Sequence, residues 1–247
     1  MKGKITLIIV LNACLIMSSA KIFSQSVPDH DIIKDDGKDI GLWFVGHASL
    51  YVTWGDLVIH VDPVSDMGDY SKMPKADIIL VTHDHYDHFD PKAIAAIKKA
   101  GTTIVCTQTC ASQLPGTVVM KNGDKKEISS VKIEAFPAYN IVHMRSPGQP
   151  FHPKGVGNGY VITLGSKRIY FAGDTENIPE MADLKNIDVA FLPMNLPYTM
   201  TPEMVADCVK KFHPGILYPY HFGNTDTSLL LPLVDQKTTE VRIRKMN

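Results

Sequence analysis

The stretch VTHDHYDHFDP, Val81 to Pro91, places three histidines and three aspartates directly after an apolar run. That run, ADIILV, has the continuous hydrophobicity of a strand that is buried on both faces. Asp90 and Pro91 then predict a helix start, because aspartate caps a helix N-terminus and proline suits its first turn. We expect this helix to extend to Gly101. The polar cluster therefore lies in a loop between a buried strand and a capped helix, and a merely solvated loop is the simplest alternative to a functional site.

Three further apolar runs end in a side chain that can bind a metal. They are VIHVD, ending at Asp62, IYFAGD, ending at Asp174, and LYPYH, ending at His221. Strands alternate with helical segments and no linker interrupts them, which indicates a single α/β domain. Because such folds build their sites where strands end at one edge of a sheet, we expect these residues to meet the histidine-rich loop.

The spacing of the H-x-H-x-D-H motif favours a site for two metal ions. The alternate side chains of His83 and His85 can face one ion, and Asp87 and His88, after a turn, can face a second. Imidazole and carboxylate ligands together suit zinc, iron or manganese. Asp174 is the natural bridge, since two adjacent cations repel each other strongly unless an anionic group lies between them. Water held by such ions ionises near pH ~7 and can then act as a nucleophile.

The composition restricts the class of partner. The 247 residues are 45% hydrophobic and 21% charged, which is ordinary for a globular protein, and the formal net charge is -1. A chain with this charge has no general attraction for nucleic acid or for anionic membranes. We therefore expect a small-molecule substrate that binds at a local site, and no nucleic-acid partner.

Residues 1–26 have the pattern of a secretory signal peptide followed by a short leader. Two lysines precede an apolar run from Ile5 to Met17, and the small residues up to Ala20 suit cleavage, with Ser26 near a second candidate cut. The run is too short for a comfortable membrane span. We expect an exported protein, periplasmic or secreted, whose mature part is one domain over residues 27–247 with no stable membrane span. An uncleaved anchor is the alternative.

The combined motifs closely resemble those of the metallo-β-lactamase-fold hydrolase superfamily. The matching elements are VDP at Asp62, HDHYDH at His83 to His88, AGDT at Asp174 and PYHFG at His221. Within that superfamily, GHASLYV, FHPKG and IPEM look like the stand-alone lactonase and phosphodiesterase-like branch. The resemblance covers about residues 40–225. It implies a single-domain α/β fold, a four-layer αββα sandwich with the site at one edge of its two sheets.

The resemblance also implies roles for individual residues. Asp174 is expected to bridge two ions, and Asp87 and Asp174 are the expected catalytic residues. Asp62 matches a residue that orients the loop from behind the ligands. His47 is equally compatible with a site residue and with a buried core histidine. The expected metal ligands are, in chain order, His83, His85, Asp87, His88, His152, Asp174 and His221.

The third ligand of the first metal has two candidates. The family pattern places a histidine before Asp174, and this segment offers His143 and His152, while Asn140 stands where some relatives carry the histidine. We favour His152, because FHPKG resembles a recurring element of this branch. His143 stays open as a competitor, and a mononuclear enzyme follows if neither reaches the metal.

The activity that the resemblance implies is metal-dependent hydrolysis. A hydroxide bound to two metal ions would attack a small ester, lactone or phosphodiester. The cofactor is two divalent ions, with zinc expected and manganese or iron as alternatives. A β-lactamase, and a non-catalytic module that binds a metal or a partner, are the rival hypotheses, because one fold serves many functions.

Overall fold

Two seven-stranded sheets and a two-stranded ribbon form the frame of the protein in the computed structural model, which describes residues 28–246. The first sheet consists, in spatial order, of β1 (Asp29–Ile33), β2 (Ile40–Gly46), β3 (Ser49–Trp54), β4 (Leu57–Val61), β5 (Ile78–Leu80), β6 (Thr103–Cys106) and β7 (Val118–Val119). The remaining strands are, in chain order, β8 (Lys125–Ile128), β9 (Val131–Ala138), β10 (Met144–Ser146), β11 (Gln149–Pro150), β12 (Gly157–Leu164), β13 (Lys167–Phe171), β14 (Val189–Pro193), β15 (Ile216–Tyr220) and β16 (Glu240–Val241). The ribbon pairs β10 with β11, and the second sheet has the order β16-β15-β14-β13-β12-β9-β8.

Each sheet has an antiparallel part and a parallel part. In the first sheet β1 to β4 pair antiparallel, and β4 to β7 pair parallel. In the second sheet β13 to β16 pair parallel, while β8, β9, β12 and β13 pair antiparallel. Parallel neighbours end at the same edge, so β4 with β5, and β13 with β15, deliver their following residues to one edge of each sheet.

Helices cover the outer faces of the sheets. The first sheet carries α1 (Pro91–Ile97) and α2 (Gln108–Gln113), and α3 (Pro202–Phe212) connects β14 to β15 in the second sheet. Short 3-10 helices occur among the described residues at Tyr70–Lys72, Pro179–Asp183 and Thr227–Leu233. The single-domain αββα sandwich that the resemblance implied is confirmed.

Strand β5 is buried on both faces, as its uninterrupted hydrophobicity predicted. Ile78 and Leu80 belong to the core between the two sheets. Ile79 belongs to the separate cluster beneath α1, where it joins Ile94. Because both faces of this strand exclude water, the first polar groups of the motif follow only where the strand has ended, and they begin with Thr82.

Helix α1 is shorter than the sequence predicted, since it ends at Ile97 rather than at Gly101. The Asp90 cap at its other end forms as expected. The carbonyl oxygen of Ile97 accepts a hydrogen bond from the backbone N–H of Ala76 at 2.8 Å. Lys98 then turns to an extended conformation with ψ 143°. The contact with the chain ahead of β5 therefore ends the helix one turn early.

The proposed signal peptide and leader, residues 1–26, lie outside the described residues. Nearly all of the expected mature domain is described, from residue 28 to residue 246. Within that range no helix combines the length and the apolar character that a membrane crossing requires.

Candidate metal centre

Side chains that follow strands of both sheets converge at one end of the sandwich. The H-x-H-x-D-H loop follows β5 of the first sheet, whereas Asp174 follows β13 and His221 follows β15 of the second. The turn between β2 and β3 adds His47, and the segment after the β10–β11 ribbon adds His152. The convergence that the strand ends predicted is therefore present.

The first group of metal-ligand atoms belongs to His83, His85, His152 and Asp174, and all four atoms lie within 4.8 Å of one another. Nε2 of His152 lies 3.2 Å from Oδ2 of Asp174, and Nε2 of His83 lies 4.0 Å from the same oxygen. The ring centroids of His83 and His85 are 4.5 Å apart. Three imidazoles and one carboxylate are a donor set that a divalent transition metal accepts.

The second group consists of His47, Asp87, His88 and His221, again with all four ligand atoms within 4.8 Å. Oδ2 of Asp87 lies 3.2 Å from Nε2 of His47 and 3.5 Å from Nε2 of His221. The His47 and His221 rings are close, with centroids 3.9 Å apart. The structure therefore brings His47 to the site, a placement that the sequence left open.

Asp174 joins the two groups through its two oxygens. Its Oδ2 faces the first group, at the distances given above. Its Oδ1 lies 3.2 Å from Nε2 of His88 and 3.5 Å from Nε2 of His221, both in the second group. A carboxylate with one oxygen toward each group has the geometry of a bridge between two cations.

Several buried atoms of this centre have no hydrogen-bond partner in the described part of the chain. They are Nε2 of His83, Nε2 of His88, Nε2 of His221 and Oδ1 of Asp174. A buried polar atom without a partner costs about 1–3 kcal/mol, so a cluster of four requires an explanation. Metal coordination would satisfy all four atoms, and the residues present therefore fit a pair of divalent ions.

Hydrogen bonds behind the ligands set the orientation of two rings. Oδ2 of Asp62 lies 2.8 Å from Nδ1 of His88 and also accepts from Oγ1 of Thr82 at 2.7 Å. Oγ1 of Thr82 in turn lies 3.0 Å from Nδ1 of His83. The Thr82 hydroxyl donates its proton to Asp62, so its oxygen can only accept from His83. Both histidines therefore donate from Nδ1, and Nε2 is the nitrogen that faces a metal. The orienting role expected for Asp62 matches these contacts.

His152 is held in the same way by a different unit. Its Nδ1 lies 2.7 Å from Oδ1 of Asn140, and the Asn140 amide nitrogen donates to Oε1 of Glu176 at 3.1 Å. His143 lies apart from both ligand groups, with its Nδ1 2.6 Å from Oε1 of Glu176. The structure thus brings His152 to the centre and turns His143 toward the buried Glu176.

The electrostatics of the centre favour bound positive charge. Burial lowers the pKa of His83 well below its usual range, so its ring is a neutral donor. Burial acts in the same direction on His88, but the carboxylates of Asp174 and Asp62 outweigh it and hold the pKa of His88 well above its usual range. The two buried carboxylates therefore favour a positive charge at His88, which a metal ion on Nε2 would supply in place of the proton.

Backbone conformation at the site departs from the ordinary. His47, Asp62 and His221 have φ angles of 54°, 43° and 44°, in the left-handed region that non-glycine residues rarely adopt. Gly173, before Asp174, has φ 65°, and a Cβ atom there would meet the Asn158 carbonyl oxygen at 2.8 Å. Such conformations persist where the surrounding structure enforces them, and they concentrate at functional sites.

Residues 41–221 match the family model described as the beta-lactamase superfamily domain. The chain belongs to the beta-lactamase superfamily. A metal-dependent hydrolase from Desulforamulus reducens is 32% identical, and the match covers 80% of this chain and 93% of the relative. A metal-dependent hydrolase from Thermococcus onnurineus is 34% identical over 73% of this chain and 83% of its own length.

Solved structures of the same superfamily share the fold. The crystal structure of a protein classed as a metal-dependent hydrolase, from Parabacteroides distasonis, is 47% identical with a TM-score of 0.85 and covers 89% of this chain and 99% of that one. A metallo hydrolase from Ignicoccus hospitalis, 24% identical, has a TM-score of 0.69 over 83% of this chain and 95% of that one and supports the fold alone. This beta-lactamase superfamily member is a metal-dependent hydrolase, as the resemblance implied.

Two supporting residues of this superfamily member were missed at the level of sequence. Glu176 lies two positions after Asp174 and is completely buried. Thr82 directly precedes His83 and relays the Asp62 contact. The sequence signal that could have found them is their position, because both residues lie in the segments that directly follow strands β5 and β13.

Proposed function

We propose that the centre holds two divalent metal ions and hydrolyses a small ester, lactone or phosphodiester. The observation that supports this is the position of the Asp174 carboxylate, whose two oxygens each face one of the two groups of buried donors. Zinc is the proposed metal, with manganese or iron as alternatives, because a mixed nitrogen and oxygen donor set accepts each of them.

In this proposal His83, His85 and His152 bind the first ion, while Asp87, His88 and His221 bind the second. Asp174 bridges the two. Ions held in this way supply Lewis acidity toward the scissile group and lower the pKa of water enough to provide a nucleophile at neutral pH.

The protein's own groups then position the reaction. The hydrogen bond between Nε2 of His47 and Oδ2 of Asp87, at 3.2 Å, fixes the Asp87 carboxylate at the second group, and Nε2 of His221 lies 3.5 Å from the same oxygen. Burial raises the pKa of Asp87, but the His221 and His47 contacts and the charge of His88 outweigh it, so the pKa lies well below its ordinary value. Asp87 therefore stays ionised at neutral pH, as both a metal ligand and an orienting acceptor must.

The test combines metal analysis with a substrate panel on the purified chain. We expect about two equivalents of divalent metal in the wild type, and turnover of bis-p-nitrophenyl phosphate or an acyl-homoserine lactone that a chelator removes. His85→Ala and Asp174→Ala are expected to lose metal and turnover together. His213→Asn, which changes an exposed histidine at the end of α3, is the matched control and should leave both unchanged.

The same panel separates the rival functions. Preferred turnover of nitrocefin would favour a β-lactamase over the proposed substrate class. Full metal content without turnover of any substrate would favour a metal-binding module. Full metal content in Asp174→Ala would contradict the bridging assignment.

We also propose that the chain is exported through its first 26 residues. The support is the lysine-rich start followed by an apolar run and small residues. Intact-mass analysis of the protein purified from its native cells tests this. A mature N-terminus near residue 21 or 27 is expected, and a full-length chain in the cytoplasmic fraction would overturn the proposal.

A further inference from the structure

Exposed apolar side chains concentrate around the metal centre. Of the ten large hydrophobic side chains that are exposed in the described part of the chain, seven lie in the segments that carry or adjoin the metal-facing residues. Tyr86, 87% exposed, sits within the histidine-rich loop between His85 and Asp87. The other six are Ile141, Val142, Met144, Val156, Leu196 and Tyr198. Single exposed hydrophobic residues need no explanation, whereas a clustered set indicates a binding surface.

Contacts join several of these segments beside the opening of the centre. The ring of Phe151 meets the ring of Tyr198 edge-on, with centroids 5.1 Å apart. Asn140 donates its amide to the carbonyl oxygen of Tyr198 at 2.8 Å, which ties the loop at 140–143 to the loop at 195–200. Phe151 and Val156 line the cavity that also exposes the donors of the first group. The seven exposed residues and Phe151 form what we call the apolar rim.

One loop of the rim is held in place by a buried carboxylate. Glu176 is fully buried and accepts hydrogen bonds from three successive backbone N–H groups, those of Ile141 and Val142 at 2.6 Å each and that of His143 at 2.7 Å. The protein thus fixes a loop that presents apolar side chains to water. A preformed surface of this kind lowers the entropic cost of binding an apolar group.

The charge of the rim comes mainly from one cation. Lys154 pairs with Glu180 at 2.6 Å, so its charge is neutralised. Arg145 lies over the Phe151 ring at 5.9 Å and is exposed. Asp84 lines the cavity next to the first group, so the positive charge of Arg145 lies on the outer part of the surface, which is otherwise mainly apolar. A surface of this kind suits the apolar tail of a substrate whose polar head lies at the metals.

We propose that the substrate is amphiphilic, with a hydrolysable polar head at the metals and an apolar chain or ring on the rim. This inference rests on the proposed function, because it places the reacting group at the dinuclear centre. A substrate tail fits the rim better than a membrane or a second copy of this chain does. Either of those, laid across the rim, would close the cavity that leads to the metal ligands, whereas a tail extends out of it.

The probe is a series of n-alkylphosphonates, from methyl through butyl to octyl, titrated into the Co²⁺-loaded protein. The cobalt visible spectrum reports head-group binding without any turnover. A fully buried methylene contributes about 4-fold in affinity, and a half-exposed rim gives roughly 2-fold per methylene. Octylphosphonate is therefore expected to bind on the order of 10²-fold tighter than methylphosphonate.

Variants assign the gain to the rim. Val142→Ser and Tyr198→Ser should each lower the octyl-to-methyl affinity ratio by about 5-fold. Leu229→Ser is the matched control, because Leu229 is 54% exposed but lies in the 3-10 helix Thr227–Leu233. It should leave the ratio unchanged.

The outcomes separate this inference from the proposed function. Methylphosphonate binding with a flat chain-length series would overturn the amphiphilic substrate and leave the dinuclear centre standing. Loss of the cobalt response to every phosphonate would contradict the centre itself. Binding of phosphatidylglycerol vesicles that is lost in Val142→Ser, together with a flat series, would identify the rim as a membrane contact and overturn the inference.

Discussion

Asn140 accepts a hydrogen bond on Oδ1 from Nδ1 of His152 at 2.7 Å, and this contact determines which nitrogen of the histidine faces the metal centre. An amide oxygen can only accept, so His152 carries its proton on Nδ1 and directs the Nε2 lone pair toward Asp174. The opposite end of the amide donates to Glu176. Asn140, which stands where some relatives carry the histidine, therefore supports the ligand candidate His152.

Asn140→Ala is expected to weaken the first metal site without removing it. His152 loses the acceptor that fixes its tautomer and ring orientation, and such losses typically lower metal affinity 10–100-fold. Chelator competition, measured for each of the two metal equivalents, checks this. Asn177→Ala is the control, since its amide donates to Asp207 rather than to a metal-facing residue. Equal affinities for Asn140→Ala and the wild type would contradict the supporting role.

His152→Ala and His143→Ala separate the two candidates for the third ligand. We expect His152→Ala to lower the metal content from about two equivalents toward one, because the first group loses a buried imidazole that approaches Asp174 at 3.2 Å. His143→Ala should retain both equivalents, since His143 faces Glu176. The reverse pattern in elemental analysis would restore His143 as the ligand.

Asp62→Asn is expected to destabilise the protein and weaken the second metal site. The carboxylate is fully buried and accepts from the Thr82 backbone at 2.8 Å and from the Thr82 hydroxyl at 2.7 Å, besides meeting His88. An amide nitrogen in this place would leave donor facing donor, at a cost of about 2–4 kcal/mol. Urea denaturation in the presence of a chelator measures the stability change. A change below about 0.5 kcal/mol would contradict the role described for Asp62.

His60 gives the fold a pH dependence of its own. It is fully buried, and burial lowers its pKa to about 4, while the Pro74 carbonyl at 3.0 Å acts in the opposite direction. Above pH ~6.5 the residue is neutral in both states, but between pH ~6.5 and ~4 only the unfolded chain takes up the proton, so stability falls as the pH falls. The expected loss is about 3 kcal/mol across this interval.

His60→Phe removes that titration while keeping an aromatic ring against Tyr51, whose centroid lies 5.0 Å away. Urea denaturation at several pH values, with chelator present in both proteins, compares the two slopes. The metal-facing histidines are common to both proteins, so the difference reports His60 alone. Parallel slopes for the two proteins would show that His60 contributes nothing to acid sensitivity.

The strand ends were predictable because their signals are local. Uninterrupted hydrophobicity marked β5, and a histidine or aspartate at the end of four such runs indicated a common edge. His152 was favoured over His143 through a short motif, and in the structure His152 lies with the other candidate donors while His143 faces Glu176. The fold class followed from the combination of motifs rather than from the strand pattern, which fits several sandwiches equally well.

What the sequence did not predict depends on contacts between distant segments. Glu176 accepts from backbone groups that lie 33 to 35 residues earlier, and a backbone N–H leaves no trace in the residue types. The early end of α1 at Ile97 likewise depends on Ala76, which belongs to another segment. The role of His47 could not be predicted from the sequence, because the turn that carries it reaches the centre only when the two sheets pack together.

Each of the two ligand groups draws donors from both sheets, with the β5 loop on one side and Asp174 or His221 on the other. Ions bound there would cross-link the two sheets, so that separating the sheets would release the ions. By mass action the apparent stability of the protein would then rise with the concentration of free metal, by about 2.7 kcal/mol for each ion present at a hundredfold excess over its dissociation constant. An enzyme built in this way would keep its fold in metal-rich surroundings and become vulnerable to proteolysis where metal is scarce.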